Sequence, residues 1–244
     1  MIIKTISTWL DFLFPKKCLI CEKDNEDYLC FNCFKKLKNK KPICLECGSE
    51  TKLGEFCNNC QKNYDLRGIL VAGDFNDKNL ASLIKSYKYN FIKDLAHPLS
   101  LFLINFLKEQ LIRNPILPKL VNYNQIINLR DFSLLSVPLS KKRLRWRGFN
   151  QSELLAQNIA KEFDLELLSD LKKIKHRRPQ ANLNKEERLI NLKNCFEWRG
   201  KSLSNKKIII IDDVCTTGAT LNEIAVELKK HQAQEIWGLV LAHG

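Results

Sequence analysis

The sequence predicts an α/β fold: a mainly parallel sheet with helices on both faces, preceded by a small cysteine-rich module. Three observations carry this. Eight of the ten cysteines fall before residue 61, all of them in CxxC pairs. After Cys60, short apolar runs alternate with stretches of helical periodicity, the order expected of a sheet buried on both faces. Finally, the apolar run Ile208–Ile211 leads into two adjacent acids, Asp212 and Asp213, and then into a short loop rich in hydroxyls. A chain of 244 residues with 45% hydrophobic content has room for one ordinary domain plus a small module, expected over 63–244 and 17–62.

The first 16 residues form the earliest element. Ile3, Ile6, Leu10, Leu13 and Phe14 recur at helical spacing and predict an amphipathic helix docked on its own protein. Contact with a membrane surface is the alternative, although Lys16 and Lys17 make a thin basic anchor. Asp11 interrupts the apolar part and no small-residue cleavage site follows, which argues against a secretory signal. No run approaches the roughly 18 apolar residues of a membrane span. A cytoplasmic protein is expected.

The cysteine pairs are Cys18/Cys21, Cys30/Cys33, Cys44/Cys47 and Cys57/Cys60. Their spacing repeats: 26 residues separate Cys18 from Cys44, and 27 separate Cys30 from Cys57. The module is therefore an internal duplication with two knuckles per copy. Two CxxC turns converge four thiolates on one tetrahedral ion and leave no open position for chemistry, so two structural zinc ions are expected. Disulfides fit poorly without an export signal. Sharing of an ion between knuckles of different copies stays open at this level. Cys195 and Cys215 stand alone and are read as ordinary buried residues.

Beyond the cysteines, 67–75 reads as a strand and 78–111 as helices broken near Asn90 and at Pro98. A second strand within 126–137 ends at Pro138. Asn150 with Glu153 resembles a capping box for a helix that reaches Phe163. A short strand is expected at 166–169; 170–206 is polar, basic and irregular, with a short helix near 184–192. A strand at 207–211, a helix at 219–230 and a strand at 235–242 complete the chain. The formal net charge is +13, and residues 138–207 hold 18 Lys and Arg against 8 Asp and Glu. Such a surplus attracts polyanions and says nothing about fold.

In sheets of this kind ligands bind at the carboxyl ends of strands, where Asp212 and Asp213 stand. The following loop, Cys215, Thr216, Thr217, Gly218, Ala219 and Thr220, enters a helix, whose free N–H groups and positive dipole end suit a phosphate monoester. Two carboxylates beside a phosphate cradle make sense if the ligand offers hydroxyls as well. Ribose 5-phosphate does so. Helix capping alone would account for the threonines and leave the two acids unexplained.

These residues carry a resemblance. IIIIDDVCTTGAT, residues 208–220, is similar to the signature of type I phosphoribosyltransferases, which bind phosphoribosyl pyrophosphate (PRPP). Together with VPLSKKRLRWRGFNQSELLAQNIA at 137–160, RRPQANLNKEERLINLKNCF at 177–196 and the cysteine pairs, the whole chain resembles the ComF family of competence-associated proteins. The resemblance implies a double zinc ribbon, a phosphoribosyltransferase domain and a link to DNA uptake. It places a pyrophosphate loop at Ser140, Lys141, Lys142 and Arg143, with Arg147 next, and a flexible lid around Lys175, His176, Arg177, Arg178, Gln180 and Arg188. A lid of that kind closes over PRPP and excludes water.

The chemistry expected is displacement at the anomeric carbon by a nitrogen nucleophile. Mg²⁺ neutralises the leaving pyrophosphate, while Asp212 and Asp213 orient the sugar and one of them serves as base. No acceptor is legible, and 61–125 would have to supply its binding surface. The rival is a non-catalytic adaptor that handles single-stranded DNA, or a PRPP sensor, working with DNA-uptake proteins through basic loops interleaved with Trp146 and Phe149.

Overall fold

The computed structural model describes residues 16–113, 129–174 and 194–244. The amphipathic helix expected over 1–16 (Lys16 apart), the short helix near 184–192, and Lys175, His176, Arg177, Arg178, Gln180 and Arg188 lie outside the described residues.

Each cysteine-rich copy pairs a turn with a one-turn helix, α1 (Phe31–Phe34) in the first and α2 (Asn58–Gln61) in the second. The chain then enters β1 (Gly68–Asp74), whose seven residues are buried through the sixth. Helix α3 (Lys78–Tyr89) starts at Asp77, whose carboxylate accepts from the N–H of Asn79 and Leu80. A 3₁₀ turn at Lys93–Leu95 leads into α4 (Ala96–Arg113). The break near Asn90 is there, but Pro98 does not end a helix. It is the third residue of α4, inside the first turn, where a missing N–H leaves no bond unmade.

Strand β2 (Phe132–Ser136) is followed by α5 (Lys141–Arg147) and α6 (Gln151–Phe163). β3 (Leu167–Leu168) precedes an antiparallel pair, β4 (Leu171–Lys173) with β5 (Phe196–Trp198), inside the stretch read from sequence as irregular. Three-residue strands with lysines are too short to leave a periodic trace. β6 (Lys207–Cys215), α7 (Ala219–Lys230) and β7 (Glu235–His243) end the chain.

The sheet has the order β1-β7-β6-β2-β3 with every pair parallel. Alternate isoleucines of β6 serve opposite faces. Ile209 and Ile211 join a core with α3, α4 and α6, whereas Ile208 and Ile210 join one with α7 and the β4–β5 hairpin. The two cysteine-rich copies divide in the same way: Cys18, Leu29 and Cys33 pack into the first core, and Cys44, Phe56 and Cys60 into the second. The second copy also covers the edge of the sheet, since Phe56 N donates to Arg67 O and Ile69 N to Gly54 O. Gly54, at φ +89°, and Gly68 allow this approach; a Cβ on either would come within 2.5 Å of backbone oxygen.

One difference from the sequence reading positions the site. β6 continues through both acids to Cys215, but only β7 follows it that far, through Asp212↔Val240 to Cys215↔His243. Pairing with β2 stops at Ser136↔Ile211, with a last bond from Val137 N to Ile211 O ahead of Pro138. The sheet therefore opens between β2 and β6 at Asp212. The crossover β2–α6–β3 runs over one face and β6–α7–β7 over the other, so this crevice is the topological switch point, where doubly wound sheets bind ligands.

Candidate functional site

Asp212 and Asp213 stand at the mouth of that crevice, and each uses one oxygen to hold itself in place. Asp212 Oδ1 accepts from Ser152 Oγ at 2.8 Å and from Asp213 N at 2.9 Å. Asp213 Oδ1 accepts from Val214 N at 2.6 Å and pairs with Lys88 Nζ at 2.8 Å. All of these contacts fall on Oδ1, and among the described residues no hydrogen bond or ion pair reaches the Oδ2 of either acid. Burial, and then the charge of Asp213, push the Asp212 carboxyl up to about 7; Lys88 and Ser152 pull the other way.

The loop that follows is built to present N–H groups. Gly218 is the N-cap of α7 at φ +75° and contributes no side-chain cap. Thr217 Oγ1 accepts from Ala219 N at a long 3.4 Å, so the other amides of the first turn stay available to an anion. The loop is braced from behind, where Thr216 O contacts His243 Nε2 at 2.9 Å and Cys215 O accepts from Gly244 N at 3.1 Å. Burial, and then Asp212, drive the Cys215 thiol up to about 12, so it remains a buried thiol rather than a nucleophile.

Across the crevice, the stretch expected as a pyrophosphate loop is the first turn of α5. Ser140 caps it by accepting from Arg143 N at 3.2 Å, and Gly148 ends it in the left-handed region at φ +77°. Lys141, Lys142 and Arg143 thus lie on the positive end of a helix with no acid in its first turn. That arrangement disfavours the isolated helix and gives the rim a strongly positive potential. Arg147 is buried, with Nη1 donating to Gln151 Oε1 at 2.8 Å and Nε lacking a partner. Asn150 is the N-cap of α6, but the capping box is not made. Its Nδ2 donates to Val137 O at 3.1 Å instead, tying α6 to the end of β2.

Two cations of this site had escaped the sequence reading. Lys88 reaches Asp213 from the last turn of α3, and an isolated helical lysine carries no signal of such a contact. Lys173 of β4 is depressed first by burial and then by the charge of Arg143, and also feels Asp212. The basic run LKKIKH was its only trace. A cleft of about 880 Å³ lies between β2, α5 and the hairpin, lined by Pro138, Lys141, Leu168, Lys173 and Arg199 among others. Neither acid and no residue of the 215–220 loop lines it.

The cysteines form two separate centres, Cys18/Cys21/Cys30/Cys33 and Cys44/Cys47/Cys57/Cys60, with the four sulfurs of each within 4.8 Å of one another. The ligands therefore pair within a copy, not between copies. Cys21 to Cys30 is 3.8 Å and Cys47 to Cys57 is 3.7 Å, close to the separation of about 3.8 Å set by a tetrahedral ion at about 2.3 Å from each sulfur. The donor chemistry agrees. Hydrogen bonds from the Ser49 hydroxyl and N–H hold Cys47 down at about 6, while Cys60 is pushed up to about 12 by its contact with Cys57 and by burial. A metal-free tetrad cannot carry four negative charges, and a divalent cation resolves the conflict.

Comparison with known proteins agrees with this anatomy. Residues 9–61 match the family described as double zinc ribbon domain, and residues 150–243 match the phosphoribosyl transferase domain. The chain is 30% identical over 242 residues to Competence protein F of Haemophilus influenzae, covering 94% of this chain and 98% of that protein. It is 28% identical over 220 residues to DNA utilization protein YhgH of Escherichia coli strain K12, covering 86% and 89%. With Competence protein ComFC of Bacillus subtilis the identity is 28% over 221 residues, covering 84% and 85%.

Proposed function

Because the chain belongs to the competence protein F (ComF) family, we propose that it binds PRPP at the crevice between β2 and β6 and transfers phosphoribose to a nitrogen acceptor, in the cytoplasm and in the service of DNA uptake. The observation that carries this reading is a pair of carboxylate oxygens, Oδ2 of Asp212 and of Asp213, that have no partner among the described residues and stand next to the uncapped start of α7. Two acceptors suit the 2′ and 3′ hydroxyls of the ribose, and the amides of the 215–220 loop suit its 5′-phosphate. Lys141, Lys142 and Arg143, at the positive end of α5, suit the pyrophosphate, with Lys173 as a further cation. The lid reading for Arg177, Arg178, Gln180 and Arg188 belongs to the same proposal.

Asp212 and Asp213 are the carboxylates that would help to hold Mg²⁺ brought in with the substrate, and the ion would supply neutralisation of leaving-group charge. The chain's own residues orient the sugar, fix both phosphate ends and keep a carboxylate beside the anomeric carbon. Calorimetry with PRPP and Mg²⁺ tests the reading, followed by pyrophosphate release against a panel of nitrogen bases. Micromolar binding is expected. No binding heat at millimolar PRPP would refute it.

A second reading, a surface that handles single-stranded DNA, is favoured by one specific feature. Tyr89, Phe91 and Trp146 are exposed large aromatics, with Trp146 tilted against Tyr89 at 6.4 Å and met edge-on by Phe91 at 5.1 Å. Arg147 lies 5.7 Å from the Tyr89 ring and 5.9 Å from Trp146, and the exposed Lys142 and Arg145 flank them on α5. Exposed rings beside cations suit unpaired bases and their phosphates. Affinity for an oligodeoxythymidylate should then fall with salt at a log–log slope of about −3 for four phosphates. Trp146→Ala should cost about 1–3 kcal/mol. A flat salt response would exclude this surface.

A further inference from the structure

Lys88 belongs to neither loop assigned to the ligand, yet it makes the shortest ionic contact in the crevice. Its side chain is 17% exposed and that of Asp213 is 9% exposed, so their 2.8 Å pair is sheltered from solvent. The end of α3 is pinned for this contact. The neighbouring Tyr87 donates its hydroxyl to Gln151 O at 3.0 Å, and Gln151 Nε2 donates back to Tyr87 O at 3.4 Å. This latch joins α3 to the start of α6, one residue before Ser152, which holds Asp212. A single packed corner therefore supports both acids from two helices.

The two acids consequently differ in surroundings. Asp213 faces Lys88 and the neutral phenol of Tyr87. Asp212 is held by the Ser152 hydroxyl and feels Lys88 only through space, with Lys173 and the buried Cys215 thiol also within electrostatic reach. We infer that Lys88 is a positioning residue of the acid pair: its ion pair fixes Asp213 in place to receive a ribose hydroxyl, and so leaves Asp212, held only by the Ser152 hydroxyl and a backbone N–H, as the carboxylate that takes the proton of the acceptor. The assignment rests on the transferase reading above and deepens it. In the transfer, the lone pair of the acceptor nitrogen forms the bond to the anomeric carbon. The bond from that carbon to pyrophosphate breaks with its electrons on the leaving oxygen, and the nitrogen's proton passes to Asp212. The elevated proton affinity of Asp212 agrees with this division.

Two readouts test it on the full-length, zinc-loaded protein. The first follows the aspartate carboxyl ¹³C resonances of wild type, Lys88→Met and Lys88→Arg against pH, with Asp212→Asn and Asp213→Asn for assignment. Loss of a cation this close should raise the midpoint of the pair by about one pH unit or more, and arginine should restore it. The second is PRPP and Mg²⁺ calorimetry at pH 7, where Lys88→Met should bind about tenfold more weakly and Lys88→Arg near wild type. Lys88→Gln replaces the methionine variant if that fails to melt cooperatively. An unmoved midpoint in a folded variant overturns the inference, and so does a loss of affinity without a moved midpoint. If wild type binds no PRPP, the transferase reading falls, and the carboxyl titration still decides the role of Lys88.

Discussion

Chelation of zinc is expected to unfold both cysteine-rich copies and to weaken ligand binding at a crevice that contains no cysteine ligand. Each closed four-sulfur centre contributes about 10–16 kcal/mol to folding, as much as the net stability of a whole domain, about 5–15 kcal/mol. The effect should spread, because Cys18 and Cys33 belong to the core of one sheet face and Cys44 and Cys60 to that of the other. The second centre lies nearer the phosphate loop. A Cβ on Gly218 would be 3.6 Å from Leu45 Cδ2, and Asp65 N donates to Asn222 Oδ1 of α7 at 2.9 Å. Cys60→Ser should therefore lower PRPP affinity more than Cys33→Ser, while each loses about one of two zinc equivalents. Elemental analysis, thermal melts and calorimetry read this together. A chelated protein that keeps its melt and its affinity would contradict the arrangement.

Replacing both acids, Asp212→Asn with Asp213→Asn, should abolish PRPP binding, because amides lose the charge that draws the hydroxyl protons and leave Lys88 buried without its counter-ion. Unchanged affinity in the double variant would remove the main support for the site. Asp212→Asn alone should do something further to the ligand-free protein. Its carboxyl is raised to about 7 in the fold, against about 3.9 in an unfolded chain. The folded state therefore holds the proton more tightly, and stability is lost as pH rises from about 4 through 7. Asparagine escapes this loss, so the variant should melt above wild type at pH 8, by about 2–4 °C per kcal/mol relieved, with the gap closing toward pH 5. Melting at or below wild type at pH 8 would show that Asp212 is not held in an unfavourable ionised state.

Helix Ala219–Lys230 and the strand at Gly68–Asp74 were readable because long periodic runs carry their own burial pattern. Pro98 misled because proline is compatible with a first turn, and sequence does not reveal where that turn begins. The apparent capping box at Asn150 and Glu153 failed for a tertiary reason, since Asn150 is turned to donate its Nδ2 to Val137 O and its Oδ1 accepts no N–H of the helix start. The basic stretch after Pro138 was legible as charge, but its helical shape was not. Seven residues that include five cations depend on the Ser140 cap and on tertiary packing rather than on propensity.

The sequence by itself determined which atoms are available: eight thiols in repeated turns, two adjoining carboxylates at a strand end, and a glycine-bearing loop entering a helix. Local covalent spacing suffices for these, since CxxC and an acid pair juxtapose their groups within a few residues. Only the tertiary structure decided which thiols share an ion, where β2 leaves β6 to open the crevice, and that Lys88, 125 positions before Asp213, lies against it. Contacts across such separations depend on how helices pack on the two faces of the sheet, and packing leaves no periodic mark in the chain.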